Sequence, residues 1–162
     1  MKGRIDATRA LKEPAEALGV TFEPQASKEI YCITKGYPYF LQEWGYQSWN
    51  LTISSPITLE TARAAIASVI PRLGKNFFRA RFGQLTPSEK KFLRGLAEIG
   101  PGVHRTGNIA DILNLKISAR GPLRANLIKK GMVCSPAYGE MASTFPLFDE
   151  FMIRAMPTLI LP

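Results

Sequence analysis

Residues 86–145 read TPSEKKFLRGLAEIGPGVHRTGNIADILNLKISARGPLRANLIKKGMVCSPAYGEMASTF and contain the most regular pattern of local structure in the chain. The first residues predict the start of a helix. Thr86 is suited to the N-cap, Pro87 to the first helical position, and Glu89 is spaced to complete a capping box. The sequence GPG at 100–102 is expected to end this helix.

The residues after 102 predict two further helices, a β-hairpin and a last helix. These elements are expected at 107–113, 118–131, 132–135 paired with 141–145, and from 147 onward. Thr106 and Ser118 are suited to cap the first two helices, and Gly131 to end the second. This order is that of a winged helix-turn-helix, in which the helix before the hairpin can enter the major groove of DNA.

The N-terminal half is predicted to form short helices separated by proline and glycine. Pro24 and Pro38 are placed to open the second and third helices, and Gly36 lies between them. Pro14 should kink or divide the first helix, at 7–18. A loop is expected at 49–57. Thr58 is suited to cap a fourth helix, in which one apolar stripe is expected to comprise Leu59, Ala62, Ile66, Val69 and Leu73.

These patterns predict a mainly α fold, with a small helical bundle followed by a winged helix-turn-helix and its short β-hairpin. The 162 residues are 46% hydrophobic and 21% charged, which is an ordinary globular composition. No stretch approaches the ~18 consecutive apolar residues of a membrane span. Cys32 and Cys134 match no disulfide framework and, with His104, no zinc spacing, so we expect a cytoplasmic protein.

The net charge of +8 is unevenly distributed. Residues 1–73 hold 8 Lys/Arg and 7 Asp/Glu, whereas residues 74–162 hold 13 and 6. A neutral half joined to a basic half favours two domains, one of which faces a polyanion. A generic solubilising surface is the alternative.

The predicted recognition region, 104–131, concentrates the basic side chains. Arg120 and Arg124 are four residues apart, so they share a helix face and can donate to guanine edges or phosphates. Phosphate contacts are expected from Arg105, Lys116 and Lys129, and from Ser118 beside the free N–H groups of its helix. Two features oppose DNA binding: Gly121-Pro122 should interrupt the helix, and Glu140 at the hairpin tip should repel phosphate.

No catalytic or metal site is predicted. The one Gly-Lys pair, Gly74-Lys75, is followed by Asn76 and lacks the first glycine of a phosphate-binding loop. We find no nucleophile–base pair and no metal-ligand spacing. This chain alone is therefore not expected to hydrolyse ATP.

Several segments resemble the C-terminal part of a family of bacterial and archaeal AAA-type ATPases, relatives of archaeal replication initiators. They read EALGV at 16–20, TKGYPYFLQ at 34–42, FFRARF at 77–82, LTPSE at 85–89, LIKKGM at 127–132 and PLFDEFM at 146–152. The resemblance implies a helical lid-like domain at 1–74 and a winged helix at 86–157, followed by a tail at 158–162. The segment between the two domains, 75–85, is expected either to continue the preceding helix or to form a helical linker. The core that binds ATP and Mg²⁺ in such proteins is then missing from this sequence.

The resemblance also assigns residues. Gly36, Tyr37 and Pro38 correspond to the part of the lid that faces nucleotide, and Tyr37 and Pro38 could pack against adenine. The helix at 39–49 has no Arg or Lys, which departs from the phosphate-contacting arginine of many relatives.

The expected function is a non-catalytic lid and winged-helix module that binds duplex DNA. The alternative is a winged helix that contacts the ATPase core or another protein and regulates it. The aromatic bridge at 77–82 motivates this alternative, because exposed aromatic residues mark interfaces. The oligomeric state is left open.

Overall fold

A computed structural model describes residues 2–159, with side chains described for 5–116 and 118–159. The chain divides into two compact units, Met1–Phe77 and Phe78–Pro162. The division falls within the predicted linker at 75–85. Of the predicted tail at 158–162, residues 160–162 lie outside the described part. The two units are called the N-terminal unit and the C-terminal unit below.

The N-terminal unit is helical. Its elements are α1 (Lys2–Glu16), α2 (Pro24–Thr34), α3 (Pro38–Leu51), α4 (Leu59–Ala64), α5 (Ile66–Leu73) and a π-helical turn (Gly74–Phe78). Trp44 lies at the centre of its core and is fully buried. The Trp44 indole N–H donates to the carbonyl of Ala62 at 2.8 Å, which satisfies the one polar group of this side chain.

The predicted start signals of these helices are confirmed. Pro24 and Pro38 open α2 and α3, and the Thr58 hydroxyl accepts from the Thr61 N–H at 3.2 Å. Gly36 has a φ of +74°, the left-handed conformation that glycine adopts without strain.

Three local predictions are wrong. The helix α1 continues past Pro14 to Glu16 and is not divided; the Ala10 carbonyl, to which Pro14 cannot donate, accepts from the side-chain amide of Gln42 at 3.2 Å. The helix α3 continues to Leu51, three residues into the expected loop. Ile66 is 46% exposed, because α4 ends at Ala64 and α5 begins after one intervening residue, which takes Ile66 out of the stripe.

The C-terminal unit combines helices with a small sheet. Its elements are α6 (Arg79–Gly83), α7 (Pro87–Ile99), β1 (His104–Arg105), α8 (Thr106–Ile112), α9 (Ile117–Lys129), β2 (Val133–Cys134), β3 (Glu140–Ser143) and α10 (Phe148–Ala155). The three strands are antiparallel in the order β1-β3-β2. The expected fold class, mainly α with a short β-hairpin, is confirmed.

The capping box at the start of α7 is also confirmed. The Thr86 hydroxyl accepts from the Glu89 N–H at 3.3 Å, and the Glu89 carboxylate accepts from the Thr86 N–H at 2.7 Å. The helix then buries Phe92, Leu93 and Leu96, and α10 packs on it.

The aromatic bridge continues the preceding helix through the π-helical turn into α6. Phe77 is buried in the N-terminal unit, where its ring centroid lies 5.0 Å from that of Phe40. Phe78 is buried in the C-terminal unit, 5.4 Å from Phe148. These two aromatic side chains therefore belong to cores and do not form the exposed interface that motivated the regulatory alternative.

The described helices include none that is both long and apolar enough to cross a bilayer. Within the same residues, no cluster of three or more His, Cys, Asp or Glu side chains could hold a metal ion.

Candidate nucleic-acid interface

Arg120 of α9 forms hydrogen bonds to α8 and to the turn between these two helices. Its Nη2 donates to the Asp111 carboxylate of α8 at 2.9 Å and to the Leu115 carbonyl at 3.2 Å. Its Nε also donates to the Leu115 carbonyl, at 3.2 Å. Arg120 thus satisfies a carbonyl in the turn and pairs with an acid on the preceding helix.

Arg124 connects α9 to the hairpin by hydrogen bonds. Its Nη2 donates to the Ser135 hydroxyl and, at 3.2 Å, to the Glu140 carbonyl. The turn at 135–139, which we call the wing, begins with the first acceptor residue, Ser135, and is followed by the second, Glu140. The Nε of Arg124 is buried with no hydrogen-bond partner among the described atoms. Both ends of the wing are therefore held by one guanidinium.

Arg120 and Arg124 do share one side of α9, but that side is turned toward the rest of the unit. Leu127, fully buried, lies on the same side, since seven residues are close to two helical turns. The predicted base-reading geometry therefore differs from the structure: Nε and Nη2 of Arg120 and Nη2 of Arg124 already donate to acceptors of their own chain. The acceptors of both arginines lie outside α9, so the spacing of residues within this helix could not predict them.

The exposed side of α9 carries short side chains. The residues that follow one another along it at helical spacing are Ser118, Pro122, Ala125 and Lys129, with Ala119, Gly121 and Asn126 beside them. The helix is continuous through Gly121 and Pro122, so the predicted interruption is wrong. A smooth helical surface with one terminal lysine results.

Ser118 and Thr106 do not cap their helices as predicted. Lys116 occupies the N-cap of α9 without a side-chain cap bond, and Ser118 is the second helical residue. Thr106 is the first residue of α8, and both its N–H and its hydroxyl donate to the Gly139 carbonyl, at 2.9 and 3.1 Å. Thr106 therefore forms hydrogen bonds to the wing, and these replace the predicted cap at the start of α8.

Three of the predicted phosphate-binding side chains are exposed: Arg105, Lys116 and Lys129. None of the three forms an ion pair with another described residue. Arg105 lies opposite Glu140 in the β1–β3 register.

The hairpin tip differs from expectation. Glu140 begins β3 and is half-buried at the base of the hairpin, so it does not occupy the tip. Tyr138 occupies the wing and is fully exposed. The repulsion expected between Glu140 and a phosphate at the tip therefore does not arise there.

Lys130, next to Lys129, is engaged internally. Its Nζ donates to the Glu89 carboxylate at 2.7 Å and to the Gln84 carbonyl at 2.9 Å. Burial raises the pKa of Glu89, but hydrogen bonds from Lys130 and Thr86 outweigh burial, so the pKa lies below its ordinary value. The pair joins the start of α7 to the end of α9.

The predicted lid residues form a tight turn in the N-terminal unit. A Cβ at Gly36 would lie 2.9 Å from Cε2 of Tyr31, so the turn needs glycine for space as well as for φ. The ring of Tyr37 packs on Phe40, with centroids 4.9 Å apart, and Pro38 is exposed. Tyr37 thus belongs to an aromatic cluster at the surface of its unit.

The C-terminal unit thus combines two helices joined by a short turn, α8 and α9, with a β-hairpin and exposed basic side chains. Residues 75–152 match a family model described as a domain of unknown function (DUF8462). The match runs from the π-helical turn into α10. No curated protein matches the chain.

Proposed function

We propose that the C-terminal unit binds duplex DNA and that the chain acts as the lid and winged-helix part of an AAA-type ATPase. The observation that carries the DNA proposal is the set of exposed, unpaired cations on the helix-turn-helix and the strand before it. These are Arg105, Lys116 and Lys129.

The charge of the unit supports this proposal. Residues 78–162 contain twelve Lys/Arg and six Asp/Glu. Four of the acids are paired within the unit: Glu89, Glu98, Asp111 and Glu150. The remaining positive side chains leave a surface that attracts a polyanion and steers its approach.

The dimensions of α9 fit a groove. Lys116 and Lys129 are thirteen residues apart, which is roughly 20 Å along a helix. The major groove is about 12 Å wide, so a helix of this length that crosses it at an angle brings its two ends, and with them Lys116 and Lys129, toward the phosphates on either side. The N–H groups at the start of α9 face the phosphate that Lys116 contacts, together with the Ser118 hydroxyl. Arg105 would contact a phosphate beside the wing.

The lid role rests on the resemblance of the N-terminal unit. In this proposal a nucleotide-binding core, which holds ATP and Mg²⁺, lies outside these 162 residues. Gly36, Tyr37 and Pro38 would face the nucleotide. The left-handed turn at Gly36 and the exposed ring of Pro38 support this placement. The chain itself carries out no catalytic step.

A second function, docking onto a protein, is favoured by a different observation. The exposed side of α9 is smooth and nearly neutral, and Arg120 and Arg124 are held by their own unit. Small side chains allow another helix to approach closely, so this surface also suits a partner protein such as the ATPase core.

Duplex binding across a salt series separates the two functions. Fluorescence anisotropy of a labelled duplex should give a log–log slope near −3, because about three phosphates are neutralised. Lys116→Ala and Arg105→Ala should each reduce the magnitude of the slope by about 1. Lys28→Ala removes the same charge from an exposed position in the N-terminal unit and should leave the slope unchanged. Absence of binding at low salt would reject the DNA function and leave protein docking.

A further inference from the structure

The side chains on α9 restrict what the proposed interface can recognise. Reading a base in the major groove requires side chains that donate or accept at base edges, chiefly Arg or Lys for guanine and Asn or Gln for adenine. In a helix-turn-helix these side chains lie toward the start of the recognition helix. Of the described α9 side chains, the first half of the exposed row offers only the short hydroxyl of Ser118.

The middle of the row cannot form hydrogen bonds with bases at all. Pro122 and Ala125 carry no polar side-chain atoms, and Gly121 and Ala119 beside them carry none either. Asn126 and Lys129 lie near the end of α9, far from the helix start. The longest polar side chains thus lie where contact with a phosphate at the groove border is favoured over contact with a base.

The two arginines do not supply the missing contacts, because they lie on the side of α9 away from the exposed row and are held there by their own unit. Using Nη2 of Arg120 on a base would break its ion pair with Asp111 and a bond to the Leu115 carbonyl. Using Nη2 of Arg124 would release both ends of the wing, at Ser135 and Glu140. Moving either arginine to a base would exchange existing charge-assisted hydrogen bonds for new ones, so the binding free energy would gain little.

We infer that the C-terminal unit recognises duplex DNA through its sugar-phosphate backbone and discriminates little between base sequences. The substrate class is duplex DNA of any sequence. This inference rests on the proposed DNA-binding function. Arg120 and Arg124 act as positioning residues that hold the turn and the wing, while Arg105, Lys116 and Lys129 contact phosphates.

Binding to three labelled duplexes of equal length tests the inference. One duplex is G·C-rich, one is A·T-rich and one is mixed, and all are measured at the same salt concentration with the full chain. A single bidentate base contact discriminates by about 5- to 150-fold. The inference expects dissociation constants within about 3-fold of one another. A preference of more than about 3-fold for one duplex overturns it while leaving the DNA function intact.

Arginine variants sharpen the result. Arg124→Ala and Arg120→Ala should weaken binding to all three duplexes by the same factor, because a displaced wing or turn affects every sequence alike. Lys28→Ala is the exposed control in the N-terminal unit and should leave all three affinities within about 2-fold. A change in the ranking of the duplexes in either arginine variant shows base reading and overturns the inference. Circular dichroism verifies that each variant is folded.

The two possible failures are distinct. If the wild-type chain binds no duplex, the proposed function fails and the inference with it. If it binds and ranks the sequences strongly, only the inference fails.

Discussion

The two units use charged side chains differently. In the N-terminal unit, both side chains of each described ion pair keep some exposure, and the least exposed of them, Glu43, is 13% exposed. In the C-terminal unit, Glu89 and Arg94 are 2% and 4% exposed, and they are the buried charged residues of the described chain. Each has its charge compensated, Glu89 by Lys130 and Arg94 by Glu98.

This difference changes how net charge should be interpreted. Four basic residues of the C-terminal unit, Arg94, Arg120, Arg124 and Lys130, bind acceptors of their own chain. Part of the positive charge therefore stabilises the fold, and only the remainder is free for a polyanion. A count of Lys and Arg overstates the phosphate-binding capacity of such a unit.

The largest expected effect comes from removing the buried carboxylate. Glu89→Ala deletes the capping box and leaves Lys130 without its acid, so we expect a loss of about 3 kcal/mol in the free energy of unfolding. The matched control is Glu29→Ala, which removes an acid from a surface pair and should cost no more than about 0.5 kcal/mol. Urea titration followed by circular dichroism measures both. Equal losses in the two variants would abolish the contrast between the units.

Lowering the pH should remove part of the stabilisation that the Glu89 carboxylate provides. The pKa of Glu89 is lower in the folded protein than its ordinary value of 4.5, so its contribution is complete above that pH. It is lost as the pH falls through the lowered folded-state pKa. Wild-type stability should therefore decline in this range, and Glu89→Gln should flatten the decline. Thermal unfolding between pH 3 and pH 7 compares the two proteins; parallel curves would contradict the role assigned to Glu89.

A smaller effect is expected at the wing. Arg124→Ala removes charge-assisted bonds to Ser135 and Glu140, which should cost about 1.5 kcal/mol locally. The amide of Thr106, which donates to Gly139 in the wing, should exchange faster by about tenfold, because 1.4 kcal/mol corresponds to a factor of ten. Hydrogen exchange measured by NMR reports this, with the exposed Arg79→Ala as control. Unchanged exchange in Arg124→Ala would mean that the wing is held by other contacts.

The smallest effect concerns the two threonine caps, one in each unit. Thr58→Ala and Thr86→Ala each remove one hydroxyl acceptor from a helix start and should each cost about 1 kcal/mol. Thr86→Ala leaves the Glu89–Lys130 pair in place, so its loss should stay well below that of Glu89→Ala. Serine at either position should restore most of the stability. A loss at Thr86 as large as that of Glu89→Ala would show that the capping box dominates the buried pair.

Local signals in the sequence predicted most element boundaries. Pro24, Pro38 and Thr86 act within one helical turn, so their neighbours in sequence are sufficient to interpret them. The signals failed where a distant group competed. Thr106 binds Gly139, thirty-three residues away, and therefore starts its helix without capping it. Ile66 is exposed because α4 and α5 are separate helices, which no periodicity within the segment indicated.

In the candidate nucleic-acid interface, too, local signals in the sequence succeeded and distant contacts were missed. Spacing correctly placed Arg120 and Arg124 on one side of α9, because helical geometry depends on sequence separation alone. Which side faces the solvent depends on Asp111, Ser135 and the Glu140 carbonyl, and the chain brings these together only after folding. The amino-acid order therefore specified a mainly helical chain with a basic second half. Among the cations of the predicted recognition region, three-dimensional packing left Arg105, Lys116 and Lys129 exposed and without an ion pair, because the other three lie beside acceptors of their own chain.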